Sequence, residues 1–206
     1  TQLMKLAALP AGETLKKLFG SNYPLVDSFF QKKAGMSLAL FNGFKPMMVM
    51  SLLYMNMLPC KEPASYETSF VGMARQQKKD IRGLETIADQ MRVFDQIPDS
   101  IEAGNIVKMI KEYDTQGQQF ADMVRVYKEQ NVQELFKQIS SSPDLMNAQE
   151  ELLTKRNKNW IPVMEQNMKA GSCFFAVGAG HLGGDIGLIT LLQKAGYKVR
   201  AVKTKE

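Results

Sequence analysis

Up to about residue 170 the apolar residues of this chain recur at helical spacing, and only from Cys173 onward does the pattern read as strand, helix and strand. That imbalance is the strongest constraint on the fold. "CFFAVGA" (173–179) is an uncharged apolar run, "DIGLITLLQKAG" (185–196) has helical periodicity and closes on Gly196, and "YKVRAV" (197–202) reads as a second strand. Two strands joined by a helix are expected to lie parallel with a right-handed crossover. Two or three strands do not complete a doubly wound sheet. The expectation is therefore a helix-dominated α/β fold: a long helical region, then a C-terminal β-α-β unit whose sheet is incomplete within residues 1–206.

The helical region divides at its punctuation. "ETLKKLF" (13–19) and "PLVDSFFQKK" (24–33) are short amphipathic segments separated by Gly20-Ser21-Asn22, with Gly35 closing the second. Pro46 suits the first turn of a methionine-rich helix over 46–58. Ser65 and Thr86 are candidate caps for helices over 65–79 and 86–94, and "DIRGLE" (80–85) between them is a candidate short strand. Further helical patterns cover 99–113, 119–130 and 132–139. "SSSPD" (140–144) reads as a stop, and a long segment over 147–170 runs to Gly171 with Pro162 inside it, where it would kink the helix or reset its start.

Composition excludes several classes. With 45% apolar and 23% charged residues the chain has the balance of a globular protein. The net charge of +5 comes from lysines and arginines spread along the sequence, without the block or stripe that a nucleic-acid partner requires. "PMMVMSLLYMNML" (46–58) is interrupted by Ser51 and Asn56 and falls short of the roughly 20 apolar residues of a membrane span. Cys60 and Cys173 form no metal-binding spacing, and Cys173, within an apolar run, is expected to be inert. The opening "TQLMKLAALP" has neither initiator methionine nor signal peptide and reads as a cut within a longer protein or a processed end.

The chemistry concentrates on the only histidine, His181, in a glycine-rich turn. Gly178 to Gly183 match G-x-G-x-x-G between a strand and a helix, the backbone cradle of a dinucleotide pyrophosphate, with Arg200 and Lys203 suited to a 2′-phosphate. No acidic residue ends the second strand to hold a ribose, so that reading stays subordinate. A histidine at the carboxyl end of a strand instead points into the crevice where open α/β sheets hold ligands, as a metal ligand or general base. A catalytic zinc-type site needs about three protein ligands, and no second histidine is present. Arg156 is either a carboxylate clamp or, by default, a surface arginine; Asp185 reads as the cap of the last helix before a ligand, and Glu67 and Glu85 as solvated or ion-paired carboxylates. The methionine segment reads as core, or else as an adaptable apolar groove for a peptide.

Several landmarks in order resemble the TraB/GumN family, which is distantly similar to the Tiki proteases and the erythromycin esterase and ChaN-like proteins. These are "LAALPAGETLKKLF", "SYE" (65–67), "GLETIADQ" (83–90), "RNKNW" (156–160) and the terminal "VGAGHLGGDIGLITLLQKAGYKV", which carries G-x-x-H at Gly178 to His181. The resemblance implies one domain over residues 1–206, an α/β pocket joining two G-x-x-H motifs and a glutamate, and hydrolysis of a peptide or a small ester or amide with a divalent metal ion. His181 matches the second motif and would bind the metal or position a water, and Arg156 would orient the substrate. The first motif and its glutamate have no match within residues 1–206, so this stretch alone is expected to be inactive. The family also implies an extracytoplasmic setting, periplasmic or lipid-anchored. The competing reading is a non-catalytic module that binds a peptide or a partner.

Overall fold

The computed structural model describes residues 2–58, 60, 62–141 and 149–202. Eleven α-helices are described: α1 (Gln2–Leu6), α2 (Leu15–Phe19), α3 (Tyr23–Ala34), α4 (Pro46–Met57), α5 (Tyr66–Gln76), α6 (Ile87–Phe94), α7 (Asp99–Lys111), α8 (Tyr113–Lys128), α9 (Val132–Ser141), α10 (Lys155–Ala170) and α11 (Leu188–Lys194). The chain divides into two compact units, residues 1–69 with 85–122 and residues 70–84 with 123–206.

The expected C-terminal β-α-β unit is not formed: 68% of the described residues are helical, and none of them lies in a strand or sheet. The two candidate segments do keep a strand-like alternation. Phe175 and Val177 pack inward against the Trp160 cluster while Phe174 and Ala176 face out, and Val199 is half-buried between exposed Lys198 and Arg200. What they lack is a ladder, since two short strands bury too little surface to sustain a sheet by themselves. The proposed strand at 80–85 is likewise irregular. Cys173, expected to be inert in an apolar strand, is exposed, and Cys60 and Cys173 are both free thiols.

The first unit is built by helices that each offer residues one turn apart. Leu15 and Phe19 of α2, Val26 and Phe30 of α3, Val49 and Leu53 of α4, and Ala103, Ile106 and Ile110 of α7 form one buried core. Local chemistry sets the helix ends. Thr14 caps α2 by accepting from the Lys17 N–H, and α3 begins with Pro24 in its first turn and stops at Gly35 in the left-handed conformation (φ 68°). Thr86 and Asp89 make a reciprocal capping box on α6, which together with Arg92 holds the Asp89 carboxyl below its usual range. Ser65 caps α5, its hydroxyl accepting from the Thr68 N–H at 3.2 Å. An isolated antiparallel bridge pairs Ala8 with Phe44.

In the second unit Trp160 and Met164 of α10 and Leu188 of α11 form the core, with Leu84, Ile161, Met168 and Leu192 against it. A π-turn at Glu150–Thr154 leads into α10, which runs through Pro162 without restarting. The stop expected at 140–144 falls largely outside the described residues, as does the start of the segment at 147–148; α9 extends to Ser141. Among the described residues no helix is long and apolar enough to cross a membrane.

One electrostatic contact in the first unit generates a pH dependence. The half-buried Glu102 on α7 accepts the Met47 N–H in the first turn of α4, next to Asp99 and to the Lys45–Asp95 ion pair. Burial pushes its carboxyl up to about 7, Asp99 and Asp95 add to the rise, and the Met47 N–H and Lys45 oppose it. A carboxyl with a higher pKa folded than unfolded binds its proton more tightly in the folded state. Its ionisation therefore weakens the fold progressively as pH rises from about 4.5 to about 7. Glu102→Gln keeps an oxygen for Met47 without the charge. Thermal unfolding should give nearly equal midpoints for wild type and variant at pH 4.5, and a higher midpoint for the variant at pH 8.

Candidate functional site around His181

α10 presents Asn157, Trp160 and Met164 along one face, at three- and four-residue spacing, and their exposures of 1%, 5% and 2% place that face in the core. His181 ends a short 3-10 turn, Ala179–His181, closed by its own N–H donating to the Gly178 carbonyl at 2.9 Å. His181 is 8% exposed and its ring lies against Trp160, ring centroids 4.5 Å apart and planes at 41°. Its Nδ1 is 2.6 Å from Asn157 Oδ1. The other end of the Asn157 amide, Nδ2, donates to the Ile186 carbonyl at 2.8 Å and the His181 carbonyl at 3.4 Å. A single side chain of α10 thus ties down both the ring and the backbone of the turn.

Arg156, the other candidate from the sequence, also contacts Trp160. Its guanidinium carbon is 4.9 Å from the Trp160 ring centroid, within cation–π range, and Nη1 donates to the Leu152 carbonyl at 3.0 Å. Trp160 therefore touches both residues. Glu67 and Glu85 belong to the first unit. Glu67 is exposed, accepts from the Ser65 hydroxyl at 2.8 Å, and is held below the usual carboxylate range by its own N–H and by Ser65.

The glycines have a packing function. A Cβ on Gly183 would fall 2.4 Å from the Val132 carbonyl oxygen and 2.8 Å from Phe136 Cβ, both on α9. One on Gly184 would fall 2.3 Å from the Phe136 ring, at a backbone φ of +75° that side chains avoid. The Gly184 N–H donates to Gln133 Oε1 at 3.0 Å. The surface that the dinucleotide reading reserves for a pyrophosphate is occupied by α9. α11 begins at Leu188 with Gly187 at its cap position, so Asp185 does not cap it as expected.

For a resident divalent metal the donor set is insufficient. Among the described residues no three His, Cys, Asp or Glu side chains group closely enough to hold one, and His181 is the only imidazole. The described residues alone do not fit such an ion. The role of Asn157 escaped the sequence reading, although a polar residue in the apolar stripe Leu153, Asn157, Trp160, Met164 was a visible signal.

His181 thus sits in a turn backed by Asn157 and Trp160 of α10. The chain belongs to the TraB/PrgY/gumN family, whose profile matches residues 1–201. No curated protein and no solved structure matches it significantly.

The tight approach of α9 gives a stability prediction. Gly183→Ala drives a Cβ into backbone and should cost about 1–3 kcal/mol or more. Gly117→Ala, inside α8 with nothing within 4 Å of the new Cβ, should stabilise by up to about 1 kcal/mol. Urea unfolding of the two variants should therefore shift in opposite directions.

Proposed function

We propose that the chain carries the histidine wall of a hydrolytic site acting on a peptide or a small ester or amide, dependent on a divalent metal ion in the complete site. His181 is its working imidazole, and Arg156 orients a substrate carbonyl or carboxylate. The observation that carries this reading is the anchoring of the His181 ring by Asn157 and Trp160. An imidazole whose second nitrogen is hydrogen-bonded and whose ring is packed against a neighbouring aromatic is held in one orientation, as ligand and acid–base histidines are. Family membership favours it, since the histidine lies in the family's G-x-x-H motif. The described residues offer such an ion a single imidazole, so its remaining ligands would be supplied from elsewhere. Arg156, held against Trp160, carries a planar guanidinium, the group whose geometry matches a carboxylate.

The second reading, a non-catalytic module that binds a peptide or a partner, is favoured by two observations. His181 is only 8% exposed, and α4 leaves Tyr54 and Met55 at 43% and 54% exposure. One assay separates the readings. The complete natural polypeptide containing these residues is incubated with peptide and ester substrates, with added Zn2+ or Mn2+ and then with chelator. The hydrolytic reading expects metal-dependent turnover that falls about 100-fold or more in a folded His181→Ala variant. Unchanged turnover in that variant, or peptide binding with no turnover, supports the second reading instead.

A further inference from the structure

We propose that Asn157 is a positioning residue that fixes the tautomer of His181, holding the ring proton on Nδ1 and leaving the lone pair of the neutral ring on Nε2. The Ile186 and His181 carbonyl oxygens can only accept hydrogen bonds, so the end of the Asn157 amide that faces them, at 2.8 and 3.4 Å, is the NH2 group. This fixes the orientation of the amide. Its oxygen is then the atom 2.6 Å from His181 Nδ1, and an amide oxygen is an acceptor only. Nδ1 must donate. The alternative tautomer would set a lone pair against a lone pair in a site where Asn157 is 1% exposed and no solvent relieves the conflict.

The arrangement resists reversal. Turning the amide over to accommodate the other tautomer would aim Oδ1 at two carbonyl oxygens, losing both anchoring bonds together. Trp160, packed against the imidazole with the ring planes at 41°, restricts the ring's movement away from the Nδ1 bond. The functional meaning rests on His181 being the working imidazole: Nε2 is then the atom that takes a proton or binds a ligand, and Asn157 acts only through it. The tautomer itself does not depend on that reading.

Because His181 is the only histidine, its ring gives one set of signals in a long-range 1H–15N correlation spectrum of the labelled chain, recorded where the ring is neutral. Wild type should show a single tautomer with the proton on Nδ1. Asn157→Asp, which keeps an acceptor oxygen, should preserve it. Asn157→Leu, which has none, should move the ring toward the Nε2–H form by about fivefold or more, the equilibrium worth of one ordinary hydrogen bond. A proton on Nε2 in wild type overturns the proposal, as does an unchanged tautomer in folded Asn157→Leu. Circular dichroism and Trp160 emission report whether that variant folds. If it does not, wild type and Asn157→Asp decide, with Nδ1–H in both supporting the proposal and Nε2–H in either overturning it. Hydrolysis is measured separately, so the hydrolytic reading can fail while the tautomer stands, and the reverse.

Discussion

A buried amide has to satisfy both of its ends, and the architecture around His181 follows from how Asn157 does so. Its NH2 group reaches two backbone carbonyls of the glycine-rich turn and its oxygen meets the imidazole. Removing the side chain would leave those buried acceptors without their donor, at about 1–3 kcal/mol for each unsatisfied group. The same amide specifies where the turn lies against α10, because each of its bonds is directional while the surrounding Trp160, Met164 and Leu188 contacts are not. Apolar packing brings the helix and the turn together, and the amide selects one register between them.

Among the described residues the first unit has no comparable fully buried polar anchor in its core. There the helices interlock through aliphatic and aromatic side chains spaced one turn apart, and polar side chains cap helix ends or bridge to neighbouring turns. Asp27 illustrates this: one carboxylate oxygen accepts both the Ser37 hydroxyl at 2.9 Å and the Leu38 N–H at 2.8 Å, tying α3 to the turn that follows it. Glu102 on α7 is half-buried, and its raised pKa records first the burial of the carboxyl and then the nearby Asp99 and Asp95.

Much of this was legible from local chemistry. Pro46, Gly35, Ser65, Thr86 and Gly171 mark helix boundaries for reasons internal to each segment, and the structure places boundaries at or beside them. The family was legible too, because its landmarks are contiguous in sequence. Two things were not. Strand pairing is non-local, so the alternation at 173–179 and 197–202 announced strands without disclosing whether a ladder would form. The spacing of the glycines offered a phosphate cradle only as a subordinate reading and close approach of a ligand to His181 as the leading one, whereas Gly180, Gly183 and Gly184 pack against the neighbouring α9. Only a three-dimensional neighbour distinguishes a glycine that admits a ligand from one that admits a helix. For the candidate site, the sequence offered His181 and Arg156 but not the atom that links the histidine to α10.

Phe136 and the Val132 carbonyl rest on bare backbone two and three residues beyond His181, with no side chain between to cushion a displacement. Such a contact is stiff: a shift of α9 by a few tenths of an ångström is passed on to the loop instead of being absorbed by a rotamer change. The imidazole is thereby geared to a helix about fifty residues earlier in the chain, and substitutions on that helix that never touch the ring can still re-aim it.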